Sequence, residues 1–219
     1  MKEALIAASV RTPIGRFGGT LKDWTAADLG VAVVGEALAR AGVDPESVNE
    51  TIIGNARQAG GGPNVGRQIS YRAGIPDAVP AYTVNKACGS GLKAIVLAAE
   101  QIMLGRAELV VAGGTESMSR VPYLADGARW GLRLGNVDLV DGMYRDGFLD
   151  PLSGQLMGET AETLARRYDI SREEQDAFAL RSQQRAESAI KEGRFGSELI
   201  SLKIKDKKGV QTEFTLDEH

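Results

Sequence analysis

Apolar positions in the first half of the chain alternate between short continuous runs and stretches with helical spacing. The short runs predict four strands, at 4–10, 52–53, 81–84 and 108–113. The helical spacing predicts three helices, at 25–41, 63–73 and 92–104. Strands that alternate with helices are typical of crossover units around a largely parallel sheet, so we predict the α/β class.

The predicted helix at 92–104 has very few polar positions. Its apolar residues occupy most of its circumference: Leu92, Ala94, Ile95, Val96, Leu97, Ala98, Ala99, Ile102 and Met103. Lys93, Glu100 and Gln101 leave only a narrow polar stripe. A helix that is hydrophobic nearly all round is expected to lie inside the protein.

Beyond residue 118 the pattern changes to an irregular stretch rich in glycine and aspartate. Further along, Ser171 and Glu174 fit a capping box, which predicts the start of a charged helix that stops at Gly193. The last runs predict a hairpin, with strands at 199–205 and 210–216 around a turn at 206–209. We therefore place a boundary near 118 and predict two domains, 1–118 and 119–219.

Charge and composition exclude several classes of function. The 26 basic and 29 acidic residues give a net charge of -3, so no broad basic surface for nucleic acid is expected. No apolar run approaches the roughly 20 residues that cross a bilayer, so we expect no membrane partner. The single cysteine, Cys88, and the single histidine, His219, exclude a disulfide framework and a Cys/His zinc site within this chain. We expect a cytoplasmic protein with no bound metal.

Cys88 is the strongest candidate for chemistry. It stands between a predicted strand and a predicted helix, where unsatisfied N–H groups and the helix dipole favour the thiolate that attacks an electrophile. Gly89 and Gly91 are expected to clear space beside the sulfur for an acyl group, and Lys86 to add positive field. The alternative is that Cys88 is a small buried residue with a purely structural role.

Four separated motifs resemble those of the thiolases, which make and cleave 3-ketoacyl-coenzyme A. They lie at 9–15, 85–92, 110–119 and 157–162, and the segment Asn85 to Leu92 resembles the thiolase active-site cysteine segment. The resemblance covers essentially the whole chain. It implies a thiolase-like mixed sheet with βαβ crossovers and a buried helix after the cysteine, followed by an α+β loop domain that is incomplete in this chain.

The resemblance also implies acyl transfer within fatty acid metabolism. Cys88 would take an acyl group from an acyl-CoA, and the carbanion of acetyl-CoA would then attack the thioester in a Claisen condensation; the reverse reaction is thiolysis by CoA. The family places an activating histidine and a second cysteine in a later C-terminal half. This sequence has no second cysteine, and His219 is its last residue. We therefore predict that the chain alone is inactive.

Coenzyme A thioesters are the implied substrates, with no permanently bound cofactor. Phe148 and Met157 fall at positions matching those that line the pantetheine site, although ordinary packing is an alternative for both. Leu156 stands where thiolases that favour acetoacetyl-CoA commonly carry a histidine, which leaves a broader 3-ketoacyl range open. A homo-oligomer is expected of the complete protein.

Two other functions remain open at this stage. One is a non-catalytic CoA-binding or assembly module that retains Cys88 without chemistry. The other is a condensing enzyme related to the ketoacyl-carrier-protein synthases, which also place a cysteine at the start of a buried helix. The Gly-Ser-Gly after Cys88 and the segment Gly113 to Met118 favour the thiolases over these synthases.

Overall fold

The structure is a computed structural model that describes residues 2–205 and 209–218. These residues form two compact units. The first contains the chain up to Val121 together with the segment that begins at Glu198, and the second is Pro122–Ser197. In the predicted domains, 1–118 and 119–219, the C-terminal segment belongs to the second domain. In the structure, the described part of this segment belongs to the first unit.

Backbone pairing and packing explain why the C-terminal segment joins the first unit. The Arg11 N–H donates to the Glu198 carbonyl at 2.8 Å, and the Ile200 N–H donates to the Arg11 carbonyl at 3.0 Å. Ile200 and Leu202 are then buried together with Leu21 and Leu29. Burial of these apolar side chains stabilises the arrangement. The spacing of residues along the sequence does not reveal that such distant segments pack together.

The centre of the first unit is a parallel sheet of three strands. They are β1 (Glu50–Gly54), β2 (Ala81–Val84) and β3 (Val110–Gly114), arranged in the order β2-β1-β3. Their connections carry α2 (Val65–Arg72) and α3 (Ser90–Met103). The helix α1 (Ala26–Ala41) precedes the sheet. The predicted α/β fold with βαβ crossovers is therefore confirmed, and β1, α1, α2 and α3 match predicted segments within a few residues.

Neighbouring residues of β1 define the two faces of the sheet. Ile53 is buried in a cluster with residues of α1 and α2, whereas Ile52 is buried with Ala94 and Ala98 of α3. Successive side chains of a strand point to opposite faces. The helices α1 and α2 therefore cover one face, and α3 covers the other.

The ends of α1 follow directly from its sequence. The Thr25 hydroxyl accepts a hydrogen bond from the Asp28 N–H at 3.1 Å, and the Asp28 carboxylate accepts one from the Thr25 N–H at 3.0 Å. This reciprocal pair is a capping box. Gly42 ends the helix with φ 63°, a left-handed conformation that glycine adopts without the clash of a side chain.

The prediction of a strand at 4–10 is wrong for this structure. No residue of this segment pairs in a strand ladder within residues 2–205 and 209–218, and Leu5 and Ile6 are 77% and 76% exposed. A strand forms only where a neighbouring chain segment takes up its backbone hydrogen bonds. Arg11, just beyond the segment, instead makes an isolated bridge to Leu199.

The prediction that α3 lies inside the protein holds for one side of the helix only. Ser90, Ala94 and Ala98 are buried against the sheet, but Leu92 is 69% exposed, and Ile95 and Val96 are 43% and 41% exposed. The prediction of burial is therefore correct for the side of α3 that faces the sheet and wrong for its outer side. In the first unit, α3 packs chiefly against β1 and β3.

The second unit contains mostly short elements and two longer helices. A small antiparallel pair joins β4 (Tyr123–Leu124) to β5 (Val140–Asp141), and a π-helical turn covers Tyr144–Phe148. The longer helices are α4 (Met157–Arg167) and α5 (Arg172–Lys191). Ser171 and Glu174 form the predicted capping box at the start of α5. Among the described residues, 3-10 turns span Ala128–Trp130 in this unit and Pro45–Ser47 and Met118–Arg120 in the first unit.

The predicted C-terminal hairpin is confirmed. Its strands are β6 (Leu202–Lys205) and β7 (Gln211–Phe214), which pair antiparallel. Residues 206–208 of its predicted turn lie outside the described residues, as does His219. None of the described helices is long and apolar enough to cross a membrane.

Candidate active site

Cys88 lies in a tight turn between β2 and α3. It is exposed to solvent and directly precedes Gly89, the N-cap residue of α3. The preceding residue, Ala87, has φ 47°. This left-handed conformation is uncommon for a residue with a side chain and signals a turn that its surroundings hold in place. The structure therefore disagrees with the alternative that Cys88 is a buried packing residue.

The buried side chain of Ser90 makes two hydrogen bonds to this turn. The Ser90 hydroxyl accepts a hydrogen bond from the Lys86 N–H at 2.8 Å and donates one to the Ala87 carbonyl at 2.6 Å. Ser90 is 4% exposed, so water does not compete effectively for these bonds. Sequence analysis did not single out Ser90. The signal was a small hydroxyl residue two positions after the cysteine at a helix start, where such side chains bond to nearby backbone groups.

Glycines allow the start of α3 to approach the ends of two strands. A Cβ atom on Gly54 would collide with the backbone of Ser90, and one on Gly114 would lie 3.0 Å from the Gly91 Cα. A Cβ on Gly91 would itself lie 3.6 Å from the Gly114 Cα. The expectation that Gly91 clears space beside the sulfur is therefore corrected, because its missing side chain faces the end of β3. The close packing of α3 against β1 and β3 fixes the position of the Cys88 turn relative to these strands.

The first turn of α3 begins directly after the Cys88 turn, and its Ser90 N–H donates to the Ala87 carbonyl at 3.1 Å. No side chain caps this helix at Gly89. The N–H groups of the first helical turn have no partner within the helix and carry the positive end of the helix dipole. Lys86 is exposed on the same turn. An oxyanion that develops on a carbonyl bound to Cys88 would form beside these donors.

The Cys88 thiol has no base beside it in the part of the chain that the structure describes. No described side chain forms a hydrogen bond with it. Nor do the described residues contain a cluster of His, Cys, Asp or Glu side chains that could hold a metal ion. His219 lies outside the described residues. Among the described residues, this arrangement places an exposed thiol at the start of α3 with no side chain hydrogen-bonded to the sulfur.

The two residues expected to line a CoA site both lie in the second unit. Phe148 ends the π-helical turn and Met157 begins α4, and they are 40% and 51% exposed. Leu149 and Leu156, their neighbours, form an antiparallel bridge. Phe148 and Met157 therefore stand immediately outside a bridged pair, at the two ends of one short loop. The structure thus brings these two residues close to each other, and their contact with CoA stays a prediction.

A cavity of about 330 Å³ lies elsewhere in the first unit. Its lining includes Phe17, Lys22, Asp23 and Arg120, but not Cys88. The cavity is shallow and open, and its charged side chains are exposed. We therefore locate the candidate chemistry at the Cys88 turn and not at this cavity.

Comparison with known proteins adds the family. A family model described as "Thiolase, N-terminal domain" matches residues 4–219. The chain belongs to the thiolase family. Among curated thiolase relatives, acetyl-CoA acetyltransferase of Syntrophomonas wolfei is 49% identical over 220 residues, and that of Cupriavidus necator is 48% identical over 218. All of this chain is covered in both comparisons, but only 55% and 56% of the relatives. The chain thus spans about half the length of these thiolases.

Solved thiolase structures share this fold. The acetyl-CoA acetyltransferase of Bacillus anthracis superposes with a TM-score of 0.95 at 44% identity, over 100% of this chain and 55% of the other. The Acat5 thiolase of Ascaris suum, solved in complex with coenzyme A, superposes with a TM-score of 0.88 at 41% identity. That match covers 92% of this chain and 52% of the other. The fold resemblance inferred from the sequence motifs is confirmed.

Proposed function

We propose that Cys88 is the acyl-accepting nucleophile of a thiolase-type acyltransferase. The observation that carries the proposal is an exposed thiol at the uncapped start of α3, on a turn that Ser90 holds in place. Such a site offers both a nucleophile and donors for the oxyanion that its attack creates. Membership of a family whose relatives are named acetyl-CoA acetyltransferases supports the same chemistry.

In the first step, the Cys88 sulfur attacks the carbonyl carbon of an acyl-CoA. A carbon–sulfur bond to Cys88 forms, the bond from that carbon to the CoA sulfur breaks, and the CoA thiolate takes up the proton that the cysteine gave up. The product is an acyl-enzyme thioester and free CoA. Attack by the carbanion of acetyl-CoA would form a carbon–carbon bond, break the bond from the acyl carbon to the Cys88 sulfur and give a 3-ketoacyl-CoA and the free Cys88 thiolate. Attack by CoA would reverse the first step.

We propose that the second half-reaction needs acid–base groups beyond those that the described residues place at Cys88. Carbanion formation requires a positioned acid or base at the α-carbon, in addition to one for Cys88. The chain has one cysteine and one histidine in total. We therefore propose that the 219-residue chain alone accepts an acyl group at Cys88 but does not turn over.

Coenzyme A thioesters are the proposed substrates, and we propose no permanently bound cofactor. Phe148 and Met157 offer exposed apolar surface of the kind that suits a pantetheine arm. Coenzyme A is present in the solved complex of the Ascaris suum thiolase, which supports this substrate class. Leu156 has an apolar side chain that donates no hydrogen bond, so 3-ketoacyl chains longer than acetoacetyl stay open as substrates. We further propose a cytoplasmic homo-oligomer.

The proposal is tested with the chain itself. Incubation with acetyl-CoA should add one acetyl group to the intact mass of the wild type and none to Cys88→Ala. Thiolysis of acetoacetyl-CoA by the same chain should stay far below the ordinary enzyme rate of about 10 per second. Turnover near that rate would contradict the proposed dependence on further residues.

A non-catalytic CoA-binding module is the second candidate. The observation that favours it is the lack of any described side chain bonded to the Cys88 thiol. This candidate predicts that CoA binds and that no acetyl adduct forms at Cys88. Titration with CoA, followed by the same mass measurement with acetyl-CoA, separates the two candidates.

A further inference from the structure

The segment that follows β3 holds two parts of the first unit together. The Thr115 hydroxyl donates to the Ala26 carbonyl at 2.6 Å, and the Ser117 hydroxyl donates to the Trp24 carbonyl at 2.7 Å. Both bonds attach the segment to the start of α1. In extended backbone, the residue between them points to the opposite side. That residue is Glu116.

The Glu116 carboxylate accepts three hydrogen bonds from the loop that follows β1. The Asn55 side-chain amide and the Arg57 N–H donate to Oε1 at 2.8 and 2.9 Å, and the Ala56 N–H donates to Oε2 at 2.9 Å. Hydrogen bonds to an ionised acceptor are roughly twice as strong as bonds between neutral groups. Asn55 is 1% exposed, and its amide also donates to the Thr115 carbonyl at 2.9 Å. Glu116 therefore fixes the conformation of this loop.

The same loop is bonded to the Cys88 turn. The Asn85 side-chain amide donates to the Ala56 carbonyl at 3.2 Å, and the Asn85 Oδ1 accepts from the Ala87 N–H at 3.0 Å. Ala87 is the residue with positive φ that directly precedes Cys88. A continuous set of hydrogen bonds thus runs from Glu116 through the loop and Asn85 to the residue beside the nucleophile.

We propose that Glu116 is a positioning residue that holds the Cys88 turn in the orientation needed for acyl transfer. It acts through Ala56 and Asn85 and touches no reacting atom. Acyl transfer requires the sulfur to approach a carbonyl carbon along a defined direction, and small displacements of such groups slow reactions strongly. This role rests on the proposed function of Cys88 as the acyl acceptor.

Glutamine is the informative replacement for Glu116. The amide has nearly the same shape but only one acceptor oxygen, and its NH₂ group would face an N–H donor. Glu116→Gln therefore retains at most part of the three hydrogen bonds. Glu218→Gln is a matched control, because the Glu218 carboxylate also accepts from two backbone N–H groups, those of Arg16 at 2.7 Å and Thr20 at 3.2 Å. Those bonds do not lead to Cys88.

The experiment compares three reactions of Cys88 in the wild type and both variants of the 219-residue chain. Acetyl-CoA and 4-nitrophenyl acetate both acetylate the sulfur, with CoA or 4-nitrophenolate as the leaving group, and iodoacetamide alkylates it. Acetylation depends on the orientation of the turn, whereas alkylation by a small reagent requires mainly an accessible thiol. Far-ultraviolet circular dichroism checks that each variant is folded.

We expect Glu116→Gln to slow acetylation by both donors at least about tenfold. Alkylation should stay near the wild-type rate, and Glu218→Gln should change neither reaction. Acetylation of Glu116→Gln at the wild-type rate would overturn the proposal. Equal changes in acetylation and alkylation would also overturn it, because they would indicate a general effect on the thiol.

A second variant tests the route of the effect. Asn85→Ala removes the link between the loop and the Cys88 turn, so it should slow acetylation selectively by itself. Adding Glu116→Gln to Asn85→Ala should then cause little further loss, because residues that act in series are not additive. Full additivity of the two losses would overturn the proposal. If Glu116→Gln fails to fold, Glu116→Asp replaces it, because the shorter side chain keeps the charge but draws the carboxylate away from the loop; acetylation at the wild-type rate in that variant would overturn the proposal.

The use of two acetyl donors, acetyl-CoA and 4-nitrophenyl acetate, distinguishes a failure of the Glu116 proposal from a failure of the proposed function. A wild type that accepts acetyl from 4-nitrophenyl acetate but not from acetyl-CoA contradicts the proposed substrate, and the ester series still decides the role of Glu116. A wild type that no donor acetylates overturns both.

Discussion

The hydroxyl of Ser90 donates a 2.6 Å hydrogen bond to the carbonyl oxygen of Ala87, across the residue that carries the candidate nucleophile. Because the same hydroxyl accepts from the Lys86 N–H, one side chain after Cys88 is bonded to both residues that precede it. The orientation of an exposed sulfur thus depends on a buried neighbour.

Replacement of Ser90 by alanine should destabilise the first unit. The change leaves the Lys86 N–H without its acceptor and removes the bond to Ala87, at an expected cost of about 1–3 kcal/mol in the free energy of unfolding. Urea unfolding measures this change. Ser153→Ala is the control, because Ser153 is exposed and its hydroxyl bonds to Asp150 in the second unit. We expect a change within about 0.5 kcal/mol there. Equal effects at the two sites would contradict the structural role of Ser90.

Gly54→Ala should disturb both the stability and the chemistry of the site. The added methyl group would collide with the backbone of Ser90, so the start of α3 must move away from β1. Overpacking of this kind costs about 1–3 kcal/mol. Thermal unfolding and the rate of Cys88 acetylation should both be affected.

Gly113→Ala provides the comparison for Gly54→Ala, one strand away. A Cβ atom on Gly113 would meet no atom within 4 Å. This substitution should leave thermal unfolding and acetylation near their wild-type values. The close approach of α3 to β1 would be refuted if alanine were tolerated equally well at both positions.

Asp28 should make the stability of the first unit depend on acidic pH. Burial raises the pKa of Asp28, but hydrogen bonds from Thr25 and Arg72 more than offset this effect and hold the pKa below its ordinary value. The stabilisation is therefore complete above the pKa of the unfolded state, about 3.9, and is lost as the pH falls through the lower pKa of the folded state.

Measurement of unfolding free energy between about pH 6 and pH 2 checks this dependence. Relative to the wild type, Asp28→Asn should be destabilised at neutral pH and should lose less stability on acidification. If the unfolding free energies of the two proteins depended on pH in the same way, the charge of Asp28 would not contribute to the stability of the folded state.

Helices could be predicted well where the residues at their ends are capping residues. The helix α1 begins after Thr25 and ends at Gly42, and α5 begins after Ser171, each at the residue where the side chain or the glycine conformation satisfies the helix end. The position of Cys88 between β2 and α3 was likewise predicted. The turn is short, and apolar residues have strand-like spacing before it and helical spacing after it.

Features that depend on distant partners could not be predicted in this way. The segment 4–10 has strand character but no strand partner among the residues described, and Leu92 has core character but is 69% exposed. Glu116 stands about 60 residues from the loop that it holds, so no local pattern links them. Gly91 was associated with the sulfur, whereas in the structure its missing side chain faces Gly114, where a Cβ atom would make an ordinary contact of 3.6 Å.

Reversible transfer of a labelled acetyl group is the most direct test of acyl transfer at Cys88. The chain is incubated with labelled acetyl-CoA and freed of small molecules. One portion is digested to locate the label, and another is treated with excess CoA. We predict that the label resides on the peptide containing Cys88 and that CoA removes it as acetyl-CoA, restoring the free thiol. Label on any other residue, or a Cys88 that stays unacetylated in the folded chain, would contradict the account.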